Sequence, residues 1–578
     1  MTAPTTRDDL LDDLGVDDIL GAGAELDNPA GHSALNTADR IDEFPTGAVA
    51  LLDDNRVFEY YVPVEYGGKL DDYAATMNII RTVAGRSVTL AVAHGKTFLG
   101  AVTVWVGADQ ALAQRVADVI LAGTAVSWGL TERGHGSDLL SGDMRLTRDE
   151  QDNLVLDGEK WLINNATRGG ALTLLVRSKP EGGPRGFDLV FFDKSRHDTH
   201  RPVPKELTHG IRGADISGIR IDSAIVDEAD LVGRTGTGLE TVLRGLQLTR
   251  TLCCALSLGA ADSALEAAME FARTRNLYGR KLIELPDACR ILGEALADQF
   301  LNEAFAFVVA RSIHELPAEL SVHCAAAKFL VPTRTEAMIR RLRGLVGARS
   351  VLDGDDRVLG RIERDHRIVS LFDGNTVVNL SSMISQFSLV SGKGALPADT
   401  MAATCRMDRD PEPVEYARLS LLAKRGSSAL RSLAALAEAT AQDHGTPDPL
   451  RALIAETSRI TDDETARAAG QPLNAADTPN SSFVVAERLS LCLGAACAIH
   501  FWYANRDDHA GHPLWHDGLW LEAVLGRVLG ALRGDTGEFD STHGSTDRLL
   551  AAALELFGAQ RISVLGDAGH RATKAGTQ

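Results

Sequence analysis

Trp128-Gly129-Leu130-Thr131-Glu132-Arg133-Gly134-His135-Gly136-Ser137-Asp138 opens as a short apolar strand and closes as a glycine-rich loop. Without a Cβ, glycine lets backbone N–H groups approach a phosphate or the polar edge of a ring. A Gly-Xaa-Gly loop carrying Ser and Asp is also an ordinary turn composition. The segment therefore takes its meaning from its surroundings.

Around it the hydrophobic period is two. Ala125–Trp128, Leu154–Leu156, Lys160–Ile163, Ala171–Val176, Phe187–Phe192 and Ile219–Ile221 are short β-type runs punctuated by Gly, Asn, Asp and Pro. Upstream, from Asp8 to Gly123, the pattern is helical. It breaks at Val62-Pro63-Val64-Glu65-Tyr66-Gly67-Gly68, and Asp71 and Asp72 are placed to start the next helix, Tyr73 to Val83. Downstream, Leu239–Glu270, Asp287–Leu316 and Ala318–Val346 repeat Leu, Ala and Val at helical spacing, which suits an antiparallel bundle and faces that make oligomer contacts. Ser391-Gly392-Lys393-Gly394-Ala395-Leu396-Pro397 and the acidic 408–413 segment mark a boundary before further helices to Leu565. The expected fold is α+β and mainly α: helical 1–123, a β-barrel or sandwich 124–236, a four-helix bundle 237–395 and an additional helical domain 396–578.

At 578 residues the chain exceeds one core. With 59 Lys and Arg against 79 Asp and Glu, its net charge of −20 and lack of basic runs argue against nucleic acid. The seven cysteines contain no CxxC pair and read as buried thiols of a reducing compartment. Met1–Asp13 is polar and acidic, without signal-peptide character, and no stretch of about 18 uninterrupted apolar residues occurs. A cytoplasmic protein without a transmembrane segment is expected.

Six segments in this order resemble the acyl-CoA dehydrogenase family, over Asp8 to Val390. They are the Val62–Gly68 turn; the opening stretch, similar to Thr-Glu-Pro-x-Ala-Gly-Ser-Asp with Arg133 for Pro and His135 for Ala; and Leu156–Asn165, similar to Gly-x-Lys-x-Trp-Ile-Thr-Asn. The others are His209–Gly213 with Val232-Gly233 and Gly236–Gly238; Arg275-Asn276-Leu277-Tyr278-Gly279, similar to Arg-x-x-Phe-Gly; and Arg364-Asp365 with Phe372-Asp373-Gly374-Asn375-Thr376.

The resemblance implies FAD. Trp128, Leu130 and Thr131 would lie at the flavin ring, Gly136 and Ser137 at the pyrophosphate, and Trp161 along the ring, unless Trp161 is a core residue of the β domain. Ile163 occupies the usual Thr place beside the flavin and removes a hydroxyl. Arg275, with Tyr278 beside it, would supply charge to a pyrophosphate across a subunit interface, or it is a solvated helix-end charge. Pro286 stands where a second contact, a Gln, is usual. Asn375 and Thr376 would touch the cofactor; Ser137, Arg250 and Gly374 would touch substrate.

Oxidising an acyl thioester between Cα and Cβ needs a base for the α proton while the β hydrogen leaves as hydride. The family's Glu before Gly aligns with Asp373, which is shorter by one carbon–carbon bond, about 1.5 Å. The alternative position for the base, before an Arg, holds Thr249. Asp373 also fits a helix N-cap.

The resemblance thus implies dehydrogenation of an acyl-CoA or acyl-carrier-protein thioester, with an electron-transfer flavoprotein or O₂ as acceptor, in a homodimer or homotetramer. A same-fold oxidase or monooxygenase acting on a compound such as a nitroalkane, and a catalytically silent flavoprotein, remain alternatives. His509, His512 and His516 lack recognised metal-ligand spacing and read as a surface turn, so no metal is expected.

Overall fold

The computed structural model describes residues 15–354, 357–390, 392, 394–471, 478–534, 543–558 and 561–566. The Met1–Asp13 reading, and Ser391 and Lys393 of the boundary segment, lie outside the described residues.

Helices precede and follow a single seven-stranded sheet. Helix α1 (Tyr73–Arg86) starts where Asp72 accepts a bond from the Ala74 N–H at 2.8 Å, as N-capping requires. Ser87 caps α2 (Val88–Gly107), and α3 (Gln110–Leu121) leads into the sheet. Its strands are β1 (Val126–Gly129), β2 (Arg145–Arg148), β3 (Leu154–Asn164), β4 (Ala171–Arg177), β5 (Phe187–Asp193), β6 (His200–Val203) and β7 (Ile216–Val226). The order is β1-β4-β2-β3-β7-β6, with β5 antiparallel on β4.

The two runs expected around Leu156 and Trp161 are one strand, β3. Its register against β7 slips between Leu156 and Gly158 and again between Trp161 and Ile163. β2 and β6 are additional to the expected runs. Each has four residues and one buried position, so no apolar alternation marks them.

The sheet meets α2 closely. A Cβ on Gly100 would lie 2.4 Å from the Val126 carbonyl oxygen, so only glycine permits this approach; Thr173 of β4 donates its hydroxyl to the Gly100 carbonyl at 2.7 Å. Beyond the sheet run α4 (Gly238–Thr274), the two-residue strands β8 (Asn276–Leu277) and β9 (Arg280–Lys281), α5 (Pro286–Glu315) and α6 (Leu320–Val346). Then come α7 (Leu359–His366) and α8 (Thr376–Ile384), the latter packed on α6.

The C-terminal helices α9 (Asp448–Ala469), α10 (Asn480–Asn505), α11 (Leu519–Arg533) and α12 (His543–Leu556) lie against the bundle, α10 contacting both α5 and α6. One ionic knot joins the two parts. Asp298 of α5 pairs with Arg334 and Arg341 of α6 and with Arg527 of α11. Burial pushes the Asp298 carboxyl up, and the three guanidinium groups reverse this and hold it far below the usual carboxylate range.

Helices α2, α4 and α10 are long and apolar enough to cross a membrane by length and composition, although the chain lacks the uninterrupted apolar run sought in the sequence. Their apolar windows are 72%, 78% and 78% buried inside the fold.

Candidate active site

The signature loop leaves β1 and is tied back to β3. The Trp161 N–H donates to the Thr131 carbonyl at 3.0 Å, and the Thr131 hydroxyl donates to the Trp161 carbonyl at 2.7 Å. That hydroxyl hydrogen, expected to face a flavin, is thus used within the protein. Lys160 Nζ, almost wholly buried, reaches Glu132 Oε1 at 2.7 Å and the Leu130 carbonyl at 3.3 Å, while Glu132 accepts from the N–H groups of Asp143 and Met144. Burial pushes the Glu132 carboxyl up, but Lys160 and these N–H groups bring it below its ordinary value; burial draws Lys160 down.

Gly136 and Ser137 are exposed, and neither makes a hydrogen bond among the described residues. A Cβ at Gly134 or Gly136 would meet nothing within 4 Å. The loop lines a cleft of about 450 Å³ walled by Arg133, Arg145 and Arg220 with Asp143, Asp157 and Glu159.

Trp161 is half-buried, which removes the core reading. Its indole N–H donates to Glu206 at 2.8 Å, and the Arg133 guanidinium stands 4.9 Å over the ring. Ile163 lies on the buried side of the strand. Because Trp161 pairs with Gly218 and Ile163 with the adjacent Ser217, the bulge at Leu162 sends Trp161 and Ile163 to opposite faces, and Ile163 packs in the sheet's own core with Leu156, Leu174 and Phe192. Leu162, at φ 57°, is exposed instead.

Asp373 lies between a 3-10 turn, Arg367–Ser370, and helix α8 and is not an N-cap. Asn375 performs that role for α8, its Oδ1 accepting from the Val378 N–H at 2.9 Å, so its side-chain oxygen is engaged within the protein. Thr376 donates its hydroxyl to the Ser370 carbonyl at 3.5 Å. Asp373 and Gly374 are both left-handed, at φ 53° and 87°, a conformation that Asp tolerates and glycine favours. Three side chains hold this turn by its carbonyls. Buried Lys328 donates to Val369 at 2.6 Å and Phe372 at 2.8 Å, Asn379 donates to Gly374 at 2.8 Å, and Arg250 donates to Asp373 at 3.2 Å. At the carboxylate, Oδ2 accepts from the Cys253 thiol at 3.0 Å and lies 3.5 Å from Lys96 Nζ. Burial, then the charge of Asp373, pushes the Cys253 thiol well up, so it stands there as a donor. Among the described residues the Gly374 N–H and Asp373 Oδ1 make no hydrogen bond.

The β8–β9 hairpin carries Tyr278, 95% exposed at φ 52°. The half-buried Arg275 beside it has no side-chain partner among the described residues.

Comparison with known proteins gives a match to the acyl-CoA dehydrogenase middle domain over residues 127–224 and to the acyl-CoA dehydrogenase C-terminal domain over 236–387. Residues 127–224 and 236–387 are thus acyl-CoA dehydrogenase middle and C-terminal domains. A probable acyl-CoA dehydrogenase, FadE25, of Mycobacterium tuberculosis is 28% identical over 249 residues, which are 42% of this chain and 64% of that protein. The chain thus spans just under two thirds of the length of the mycobacterial relative. The 3-(aryl)acrylate reductase of Clostridium sporogenes is 23% identical, covering 59% of this chain and 90% of that protein. A solved Bacillus anthracis acyl-CoA dehydrogenase, complexed with FAD, superposes with a TM-score of 0.68 at 15% identity and covers 94% of each chain, including the C-terminal helices.

The residues present fit the family's flavin. The open glycine loop, and the side chains of Ser137, Arg275 and buried Trp128, none of which has a hydrogen-bond partner among the described residues, are donors that suit its phosphates and ring. Lys96, Cys253 and Lys328 were missed from the sequence. Lys96 and Lys328 are each a lone cation in an apolar helical run, and that was the available signal.

The three C-terminal histidines do not converge. His516 is exposed beside Asp517, His509 packs on the Trp515 ring, and among the described residues no three His, Cys, Asp or Glu side chains form a metal-ligand group.

Proposed function

We propose that the protein is an FAD-dependent oxidoreductase that desaturates an acyl thioester between Cα and Cβ, with Asp373 as the base. The observation that carries this reading is the Asp373 carboxylate, held through Oδ2 by Cys253 and Lys96 while Oδ1 accepts no hydrogen bond among the described residues. Bound FAD supplies a hydride acceptor.

The chain's own residues do the rest. The Gly374 N–H, which makes no hydrogen bond among the described residues, bonds the thioester carbonyl and so acidifies the α C–H, and Oδ1 takes the α proton. The left-handed turn at Asp373–Gly374 sets how far the shorter carboxylate reaches, and Lys328 and Arg250 fix that turn through its carbonyls. Trp161 and the Gly136–Ser137 segment bind the cofactor. Arg275 reaches the pyrophosphate of FAD in a second copy, a reading supported by its guanidinium, which has no partner among the described residues, next to the exposed Tyr278 hairpin. The substrate is a CoA or carrier-protein thioester, and the acceptor an electron-transfer flavoprotein or O₂.

Anaerobic mixing of the holoprotein with butyryl-, octanoyl- and palmitoyl-CoA tests this. Bleaching of the flavin band by a thioester is the expected result; an unbleached band with every thioester contradicts it.

A further inference from the structure

Three cations surround the Asp373 turn, and among the described residues Lys96 is the one in an ion pair with the carboxylate. Lys328, on α6, turns its ammonium to the carbonyls of Val369, Phe372 and Gly374. Arg250, on α4, binds the Asp373 carbonyl. Lys96, from α2, approaches Oδ2 at 3.5 Å with its side chain only 13% exposed, and the Asp373 side chain is 12% exposed. Cys253, on α4, completes the groups facing the carboxylate, and its thiol fills the other direction at Oδ2.

The Lys96 ammonium has a second partner. It stands 3.9 Å from the centroid of the Phe372 ring, the residue preceding the base. An ammonium over an aromatic face is stabilised by the ring quadrupole, most strongly where water is excluded. The two partners suit the two protonation states of a base. While the carboxylate is ionised, Lys96 pairs with it; once the α proton has gone to Oδ1 and the pair of electrons of the C–H bond stays with the substrate, the carboxyl is neutral and the ammonium keeps the Phe372 face.

We infer that Lys96 is a positioning residue for the reaction: with Cys253 it binds Oδ2, fixes the carboxylate rotamer so that Oδ1 is presented to the α proton, and supplies the countercharge the base needs before the transfer. The inference rests on Asp373 being the α-proton base. A shorter carboxylate has less reach to lose, and a misplacement near 1 Å costs on the order of a hundredfold in rate, so a side chain that fixes its rotamer has a direct kinetic effect.

The test compares holoproteins of wild type, Lys96→Met, Lys96→Arg and Asp373→Asn, following the rate of flavin bleaching by butyryl-, octanoyl- and palmitoyl-CoA across thioester concentration. Freeing the carboxylate rotamer lowers the limiting bleaching rate of Lys96→Met at least about tenfold with the half-saturating thioester concentration unchanged, and Lys96→Arg restores the rate. A Lys96→Met limiting rate equal to wild type overturns the inference. Asp373→Asn separates the two levels: full bleaching by that variant removes the base reading itself and the inference with it, as does a wild type that no thioester bleaches. Thermal unfolding of Lys96→Met, Asp373→Asn and the double variant Lys96→Met/Asp373→Asn gives a readout independent of turnover. Non-additive losses in Tm are expected for a direct contact, and additive losses count against it.

Discussion

The Nε–H of Arg250 donates to the carbonyl oxygen of Asp373 at 3.2 Å, and the same guanidinium lies over Gly374, where a Cβ would stand 3.0 Å from Nη2. Helix α4 therefore grips the turn that carries the candidate base. Gly374→Ala places a Cβ against Arg250 at φ 87°, where an L side chain costs about 1–2 kcal/mol. The expected outcome is a stability loss of that size in urea unfolding, with flavin bleaching slowed more than FAD binding is weakened.

The Glu132–Lys160 pair ties the signature loop to β3 from inside the sheet. Removing one partner of a buried pair leaves the other charge uncompensated, at about 3–5 kcal/mol. Lys160→Met is expected to lower stability by roughly 3 kcal/mol in urea unfolding and to release FAD on gel filtration. Retention of FAD with unchanged stability would show that the loop is held otherwise.

Asp298 gives a pH dependence with a definite sign. Its folded-state pKa lies well below the ordinary value because Arg334, Arg527 and Arg341 outweigh the burial that pushes it up. Such a carboxylate contributes stability that is complete above its unfolded pKa, about 3.9, and is lost as pH falls through the lower folded value. Tm should therefore fall on acidification from about pH 4 downward. Asp298→Asn should lower Tm at neutral pH and flatten this acid dependence, which calorimetry across pH 2 to 7 reads directly.

Arg275 separates binding from folding, because its guanidinium has no partner among the described residues. Arg275→Met is expected to leave Tm of the apoprotein unchanged and to weaken FAD by roughly tenfold to a hundredfold, the equivalent of about 1.5–3 kcal/mol for a hydrogen bond to a charged group. Titration of FAD fluorescence quenching measures this. A loss of apoprotein stability would instead give Arg275 a structural role.

How far the sequence carries the reading differs from element to element. The helices around Leu246, Phe305 and Ala326 repeat apolar residues through long runs, and the observed α4, α5 and α6 follow them within a few residues. β2 and β6 escape because four-residue strands with exposed Arg or His carry no alternation. The face on which Ile163 lies is set by a bulge at Leu162 that shifts the alternation by one residue, and nothing in the composition of Trp161-Leu162-Ile163 announces a left-handed residue there. Around the candidate base, only Asp373 itself is marked by a motif, whereas Lys96, Cys253 and Lys328 come to it from 277, 120 and 44 or so residues away in sequence. Only the fold brings them together.

Everything functional rests on Asp373 taking the α proton. The most direct measurement is anaerobic stopped-flow mixing of wild type and Asp373→Asn, at matched FAD content, with the thioester that bleaches the wild type fastest. The account predicts that Asp373→Asn keeps its FAD and that bleaching slows by at least about a thousandfold, beyond the hundredfold or so that a simple misplacement costs. Bleaching of Asp373→Asn at the wild-type rate would contradict it.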